Sequence, residues 1–171
     1  MRKLTFGQKG SNKALRRYSW LKLFVGFLLL SFGLACGVPI FDQLNYTRKE
    51  PKKSDLLGLW VPDKSSLRVM QSEGGYDVSI QPKLILKADD TFELTTMPDW
   101  WDDGLGKSHK GFQDYSGSWR LSKYGNTGFW NVYLKMSSTR SVNLIGQNPP
   151  YRIEFIIGDP DSNVSMIFEK S

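Results

Sequence analysis

From Lys83 to the C-terminus, apolar residues recur at every second position in short runs. Leu84 and Leu86 share one face, as do Phe92, Leu94 and Thr96, then Trp119 and Leu121. Trp130, Val132, Leu134 and Met136 form the clearest face, with Asn131 and Lys135 opposite. Val142 and Leu144 follow. Tyr151, Ile153, Phe155 and Ile157 alternate with Arg152 and Glu154, and Val164, Met166 and Phe168 close the chain. A period of two in successive runs is the signature of strands with one buried face. The joints carry turn chemistry: Ala88-Asp89-Asp90-Thr91, Gly125-Asn126 with Gly128, Gly146 to Pro150, and Gly158-Asp159-Pro160. Strands this close in sequence pair antiparallel as a meander, and seven or eight of them twist and close, leaving no free edges. The pattern therefore predicts a mainly β chain, an up-and-down barrel. Upstream, Leu57-Gly58-Leu59-Trp60 leads into one short helix, with Asp63 as its N-cap, Leu67 and Met70 on one face and Gly74-Gly75 as its stop.

The other end of the chain has a different pattern. Residues 23–41, from Leu23 to Phe41, carry no charge, and Asp42 closes the run. Lys22 ends a basic flank. This is the order of a signal peptide or a signal-anchor helix, and the positive flank places everything after Asp42 on the extracytoplasmic side of a cell membrane. Its length sits at the lower edge of the roughly twenty residues that a helical span needs. Three fates follow. The run is cleaved and Cys36 is acylated, as in a lipoprotein. Or the helix is retained. Or the chain is cut and released. Cys36 is the only cysteine and ends the apolar run, with the small Ala35 before it, whereas Gly33 and Leu34 depart from the usual acceptor box. Three segments result: residues 1–41 as targeting segment, 42–55 as a polar linker without apolar period, and 56–171 as the barrel domain.

Charge changes the picture by its distribution. The net charge of +6 suggests a nucleic-acid partner. Yet residues 1–36 hold seven basic residues and no acid, so sixteen of the 23 basic residues and all 17 acids lie beyond. The body is close to neutral and has no broad footprint for phosphates. No nucleic acid is expected as partner.

Some strings carry a resemblance. Leu57-Gly58-Leu59-Trp60 resembles the Gly-x-Trp opening of lipocalin-like domains. Leu84 to Phe92 resembles a strand-turn-strand of small bacterial envelope proteins, which usually place glycine where Asp90 stands. Met97-Pro98-Asp99-Trp100-Trp101, Gly117-Ser118-Trp119 and Ile157-Gly158-Asp159-Pro160-Asp161-Ser162 are similar to motifs of an uncharacterised family of bacterial membrane-anchored or lipoprotein-like proteins. The resemblance implies a lipocalin-like barrel tethered in the cell envelope and assigns no activity.

Candidate chemistry is sparse. Asp99-Trp100-Trp101-Asp102 opens a long irregular connection, and such loops are usually functional or disordered. Adjacent tryptophans beside carboxylates suit a small ligand or a partner at the barrel mouth; a tryptophan plugging the barrel end is the structural alternative. Asp159-x-Asp161-x-Asn163 starts like a calcium loop, but Val164 stands where glycine is needed and Lys170 where the closing glutamate belongs. His109, the only histidine, has no recognisable nucleophile or further metal ligand beside it. No cofactor, no metal and no enzymatic activity are expected. The expected function is binding of a small apolar ligand or an envelope protein, with a purely structural envelope role as the alternative. The bulky inward set (Phe92, Trp119, Trp130, Met136, Phe155, Phe168) points to a mostly filled interior.

Overall fold

The computed structural model describes residues 45–101, 111–125, 127–158, 161 and 164–171. The chain divides into two units, Met1–Gln43 and Leu44–Ser171, and the described residues all fall in the second. The apolar run and Cys36 lie outside the described residues.

Eight strands close a barrel: β1 (Gly58–Pro62), β2 (Lys83–Leu86), β3 (Thr91–Pro98), β4 (Phe112–Tyr124), β5 (Phe129–Lys135), β6 (Thr139–Ile145), β7 (Arg152–Ile156) and β8 (Ser165–Lys170). Each pairs antiparallel with the next in sequence, and β1 pairs with β8 through Trp60↔Lys170 and Pro62↔Phe168. The up-and-down meander is thus the architecture, and it leaves the connections β2–β3, β4–β5 and β6–β7 at one end of the barrel. The connections β1–β2, β3–β4, β5–β6 and β7–β8 lie at the other. We call these the near and far ends, because the chain enters the barrel at the first.

Two helices precede and follow β1. Helix α1 (Lys53–Leu56) is a single turn. Helix α2 (Lys64–Ser72) begins at Asp63, whose side chain accepts from the Ser66 amide at 2.7 Å. That bond satisfies one of the first-turn amides, which have no partner within a helix. Burial alone would raise the Asp63 carboxyl, but hydrogen bonds from Ser66 and Ser65 outweigh it and hold the group below the usual carboxylate range.

The β2–β3 joint places Asp90 where the backbone is strained. Asp90 has φ +67°, a left-handed conformation that Asp and Asn tolerate better than other side chains. Asp89 supports it by accepting from the Thr91 amide at 3.1 Å and hydroxyl at 2.7 Å.

The barrel interior is filled. Trp60, Leu84, Leu94, Val132, Leu134, Leu144, Ile153, Phe155, Met166 and Phe168 are all at zero exposure. A void able to admit water would leave accessible area on the side chains lining it, and these have none. Phe155 and Phe168 stack with ring centroids 4.6 Å apart. Trp130 and Met136 are only half-buried at the rims. Gly117 lets two strands approach closely: a Cβ there would lie 2.0 Å from the Lys135 carbonyl oxygen.

Two features differ from the sequence pattern. The face Phe92, Leu94, Thr96 breaks at a bulge between Leu94 and Met97. One extra residue shifts the phase, so Met97 is fully buried and Thr96 is not. Thr96 takes φ +52°, a strained value for a β-branched residue.

The second difference is larger. Residues 42–55 were expected to be a polar linker, but from Asn45 onward the chain belongs to the barrel. Tyr46 bridges antiparallel to Ile145. The Gly146 amide donates to the Asn45 carbonyl at 2.7 Å, the Thr47 amide to Leu144 at 2.9 Å and the Trp130 amide to Thr47 at 2.8 Å. This short segment therefore sits where β5 and β6 part. The chain then crosses the near end. Pro51 is buried, Lys53 pairs with Asp90 and lies over the Trp119 ring at 5.3 Å, and Leu56 reaches zero exposure. The Leu56 carbonyl accepts from Trp60 Nε1 at 2.9 Å. Isolated apolar residues do this work in a polar stretch, and their partners lie up to about a hundred residues away, so no local periodicity marks it.

Candidate functional site

At the far end, the bulge in β3 turns the chain into a short 3-10 helix, Asp99–Trp101, that covers the barrel. Trp100 and Trp101 are at 3% and 6% exposure. Trp101 meets Phe155 and Tyr115 edge-on, both at 5.3 Å, so it stoppers the barrel directly above its core. Trp100 meets Tyr76 edge-on at 5.2 Å. Gly74, the helix stop, makes this possible: a Cβ there would stand 2.4 Å from the Tyr76 ring and 2.8 Å from Trp100. Trp100 Nε1 is buried and has no hydrogen-bond partner among the described residues. A stacking platform needs a free aromatic face, and neither indole presents one.

Asp99 is engaged in closing a loop. Its carboxylate accepts from the Tyr76 hydroxyl in a short hydrogen bond and from the Gly111 amide at 3.1 Å. The Asp99 amide donates back to the Gly111 carbonyl at 3.0 Å, and the Trp100 amide donates to the Tyr76 hydroxyl at 3.1 Å. Asp99 and Gly111 thus clamp the two ends of the connection between β3 and β4. Asp102, His109, Asp159 and Asn163 lie outside the described residues. Of the four binding candidates, the fold brings Asp99, Trp100 and Trp101 together. It adds Tyr76 and Gly111, which no spacing in the sequence connects to them.

Beside this plug runs an open groove of about 340 Å³, lined by Ser79, Ile80, Gln81, Lys83, Thr95 and Thr96. The strained Thr96 forms its wall, with its amide donating to Asp114 at 2.7 Å and its hydroxyl to the Gln81 carbonyl at 2.7 Å.

A second polar constellation lies on the outer face of β5, β6 and β7. The strand registers set Asn131, Asn143 and Glu154 side by side in one row. Asn131 Nδ2 donates to Asn143 Oδ1 at 2.9 Å and to Ser141 Oγ at 2.8 Å. Asn143 Nδ2 donates to Glu154 Oε2 at 2.9 Å, and the Tyr46 hydroxyl donates to the same oxygen at 3.0 Å. Glu154 and Asn131 are each at 3% exposure, although strand alternation places both outside. A buried carboxylate is costly unless it is hydrogen-bonded, and the entering chain supplies part of that satisfaction. Burial, and then the charge of Glu154, push the Tyr46 hydroxyl well above the usual phenol range. This row is a latch that holds the entering segment. Among the described residues no cluster of three His, Cys, Asp or Glu side chains is placed to hold a metal. Nor is any helix among them long and apolar enough to cross a membrane.

Comparison with protein-family models, with curated proteins and with solved structures finds no match in any of the three.

Proposed function

We propose that this chain is a membrane-tethered, extracytoplasmic β-barrel of the cell envelope that works through its outer surface, as a partner-binding or assembly module. Residues 1–41 supply the tether, either as a retained helix or through acylated Cys36. The observation that carries the surface reading is the zero exposure of ten inward side chains, among them Trp60, Leu94, Leu134, Phe155 and Phe168. Closed eight-stranded barrels either hold one small ligand or are packed solid, and the buried inward side chains among the described residues support the second. The plug formed by Trp100 and Trp101 supports the same reading at the mouth. The resemblance to bacterial membrane-anchored proteins supports the location.

The test is fractionation of the full-length chain expressed in bacteria. The chain is expected to stay with membranes through an alkaline carbonate wash, and its barrel to be cleaved only by protease added to the extracytoplasmic face. A chain recovered in the soluble fraction, or one cleaved only from the cytoplasmic face, refutes the reading. The groove at Ser79 and Thr96 favours a second reading, a small ligand held at the surface. Filling it by Ser79→Trp while retaining the fold is expected to abolish binding of such a ligand.

A further inference from the structure

We propose that the near end of the barrel lies on the bilayer, with Lys49, Lys52 and Lys123 against anionic lipid headgroups and Tyr124 in the interface, so that the far end points away from the membrane. The inference rests on the reading of residues 1–41 as a membrane tether.

Chain length carries the first part. The uncharged run closes at Asp42, and Asn45 is already hydrogen-bonded to Gly146 in the barrel. Three chain steps at about 3.5 Å each reach about 10 Å. The screening length at physiological salt is about 8 Å. If the run is retained in the bilayer, Asn45 stays within that reach of its end. If the run is cleaved and Cys36 acylated, nine steps reach about 30 Å, and the charges themselves must then hold the barrel down.

Those charges are placed to do so. Arg48, Lys49, Lys52 and Lys53 lie on the segment that crosses the near end, all exposed, with Glu50 the only acid among them. Lys123 is exposed on the β4–β5 hairpin. The Arg48 guanidinium sits 4.8 Å from the Phe129 ring centroid and the Lys123 ammonium 5.7 Å from that of Trp130, so aromatic rings hold two of these cations on one hairpin. The acids of this end lie mainly on the other side of the barrel. Asp55 precedes β1, Asp89 and Asp90 form the β2–β3 turn, and Glu169 is in β8. Asp90 is paired with Lys53, and Asp89 is engaged by Thr91. The β4–β5 side therefore leads with positive charge.

Tyr124 supplies the apolar contact. It is 52% exposed, while most large hydrophobic side chains of the domain are buried. It stands at the end of β4, immediately before the turn residue Gly125 at φ +44°. Tyrosine suits a membrane–water interface because its ring is apolar and its hydroxyl stays wet.

The experiment uses the full-length chain in vesicles of phosphatidylglycerol with phosphatidylcholine. The photoreactive p-benzoylphenylalanine replaces either Tyr124 at the near end or Ser138 in the β5–β6 turn at the far end, both exposed. Lipid adducts are identified by mass spectrometry. Adducts are expected in large excess at position 124, and Lys49→Glu with Lys52→Glu should lower their yield, by about fivefold per lysine from the lost attraction alone. The charge reversal should change nothing in phosphatidylcholine alone. Flotation after a carbonate wash reads the tether separately. A chain that floats yet gives equal adducts at both positions overturns the orientation and leaves the tether standing, and adducts unaffected by the reversal overturn the headgroup contact given to Lys49 and Lys52. A chain that does not float overturns both.

Discussion

Replacing Tyr46 by Phe removes one oxygen and leaves the ring. The ring keeps its contact with Phe129, at 5.2 Å between centroids, and the backbone keeps its bridge to Ile145. What is lost is the 3.0 Å hydrogen bond to Glu154, whose side chain is 3% exposed. A hydrogen bond to a charged group contributes about 1.5–3 kcal/mol. Asn143 still serves the same carboxylate oxygen, so Tyr46→Phe should cost about 2 kcal/mol. Tyr46→Ala also removes the buried ring and should cost about 3–4 kcal/mol, below the top of the range for core aromatic truncations because Tyr46 sits at the barrel rim. The linkage has a definite sign. The Tyr46 hydroxyl is raised in the folded state, so its contribution is complete below the unfolded value near pH 10 and is lost as pH rises above it. Urea unfolding of residues 44–171, followed by tryptophan fluorescence at neutral and alkaline pH, measures both effects. If Tyr46→Phe changes stability by less than about 0.5 kcal/mol, the entering segment is an ornament on the barrel and the latch argument is wrong.

Other variants probe other joints of the fold. Asp63→Ala should cost about 1 kcal/mol by removing the cap of α2. Because the Asp63 carboxyl is held low, that contribution is present above about pH 4 and lost as pH falls through the folded value, so the variant and the parent should converge in acid. Gly117→Ala should cost about 1–3 kcal/mol in thermal or urea unfolding, since its Cβ would meet the Lys135 carbonyl and β4 must shift. Asp90→Gly should stabilise by up to about 1 kcal/mol by relieving φ +67°. The lost pair with Lys53 is solvent-exposed and offsets little of that gain.

The barrel was legible in the sequence because each strand has its own two-residue period, and because Asp63, Gly74 and Asp89-Asp90 mark the helix and the tightest turn by local chemistry. The alternation failed at Thr96, where a bulge adds one residue without any glycine to announce it. It also failed at Asn131 and Glu154, which sit on the outer phase of their strands and are nevertheless buried. Their burial coincides with the docking of Tyr46, which is about a hundred residues away in the chain, and no local period reports such a partner. The same reasoning explains residues 45–56. Their composition is that of a linker, yet backbone hydrogen bonds to Leu144, Gly146 and Trp130 do not depend on side-chain type. At the candidate site, the sequence singled out Asp99, Trp100 and Trp101 as a group but not what they meet. Tyr76 and Gly111 turn the aspartate inward and the loop closed, and only the fold brings them there.

The proposed surface function requires a full interior. Titration of residues 44–171 with the apolar fluorophore N-phenyl-1-naphthylamine tests it most directly. A filled interior predicts no saturable enhancement in the native protein, while Phe155→Ala, by opening a cavity beside Phe168 and Trp101, is expected to create weak binding. Saturable binding of one fluorophore per native chain, competed by fatty acid, would contradict it.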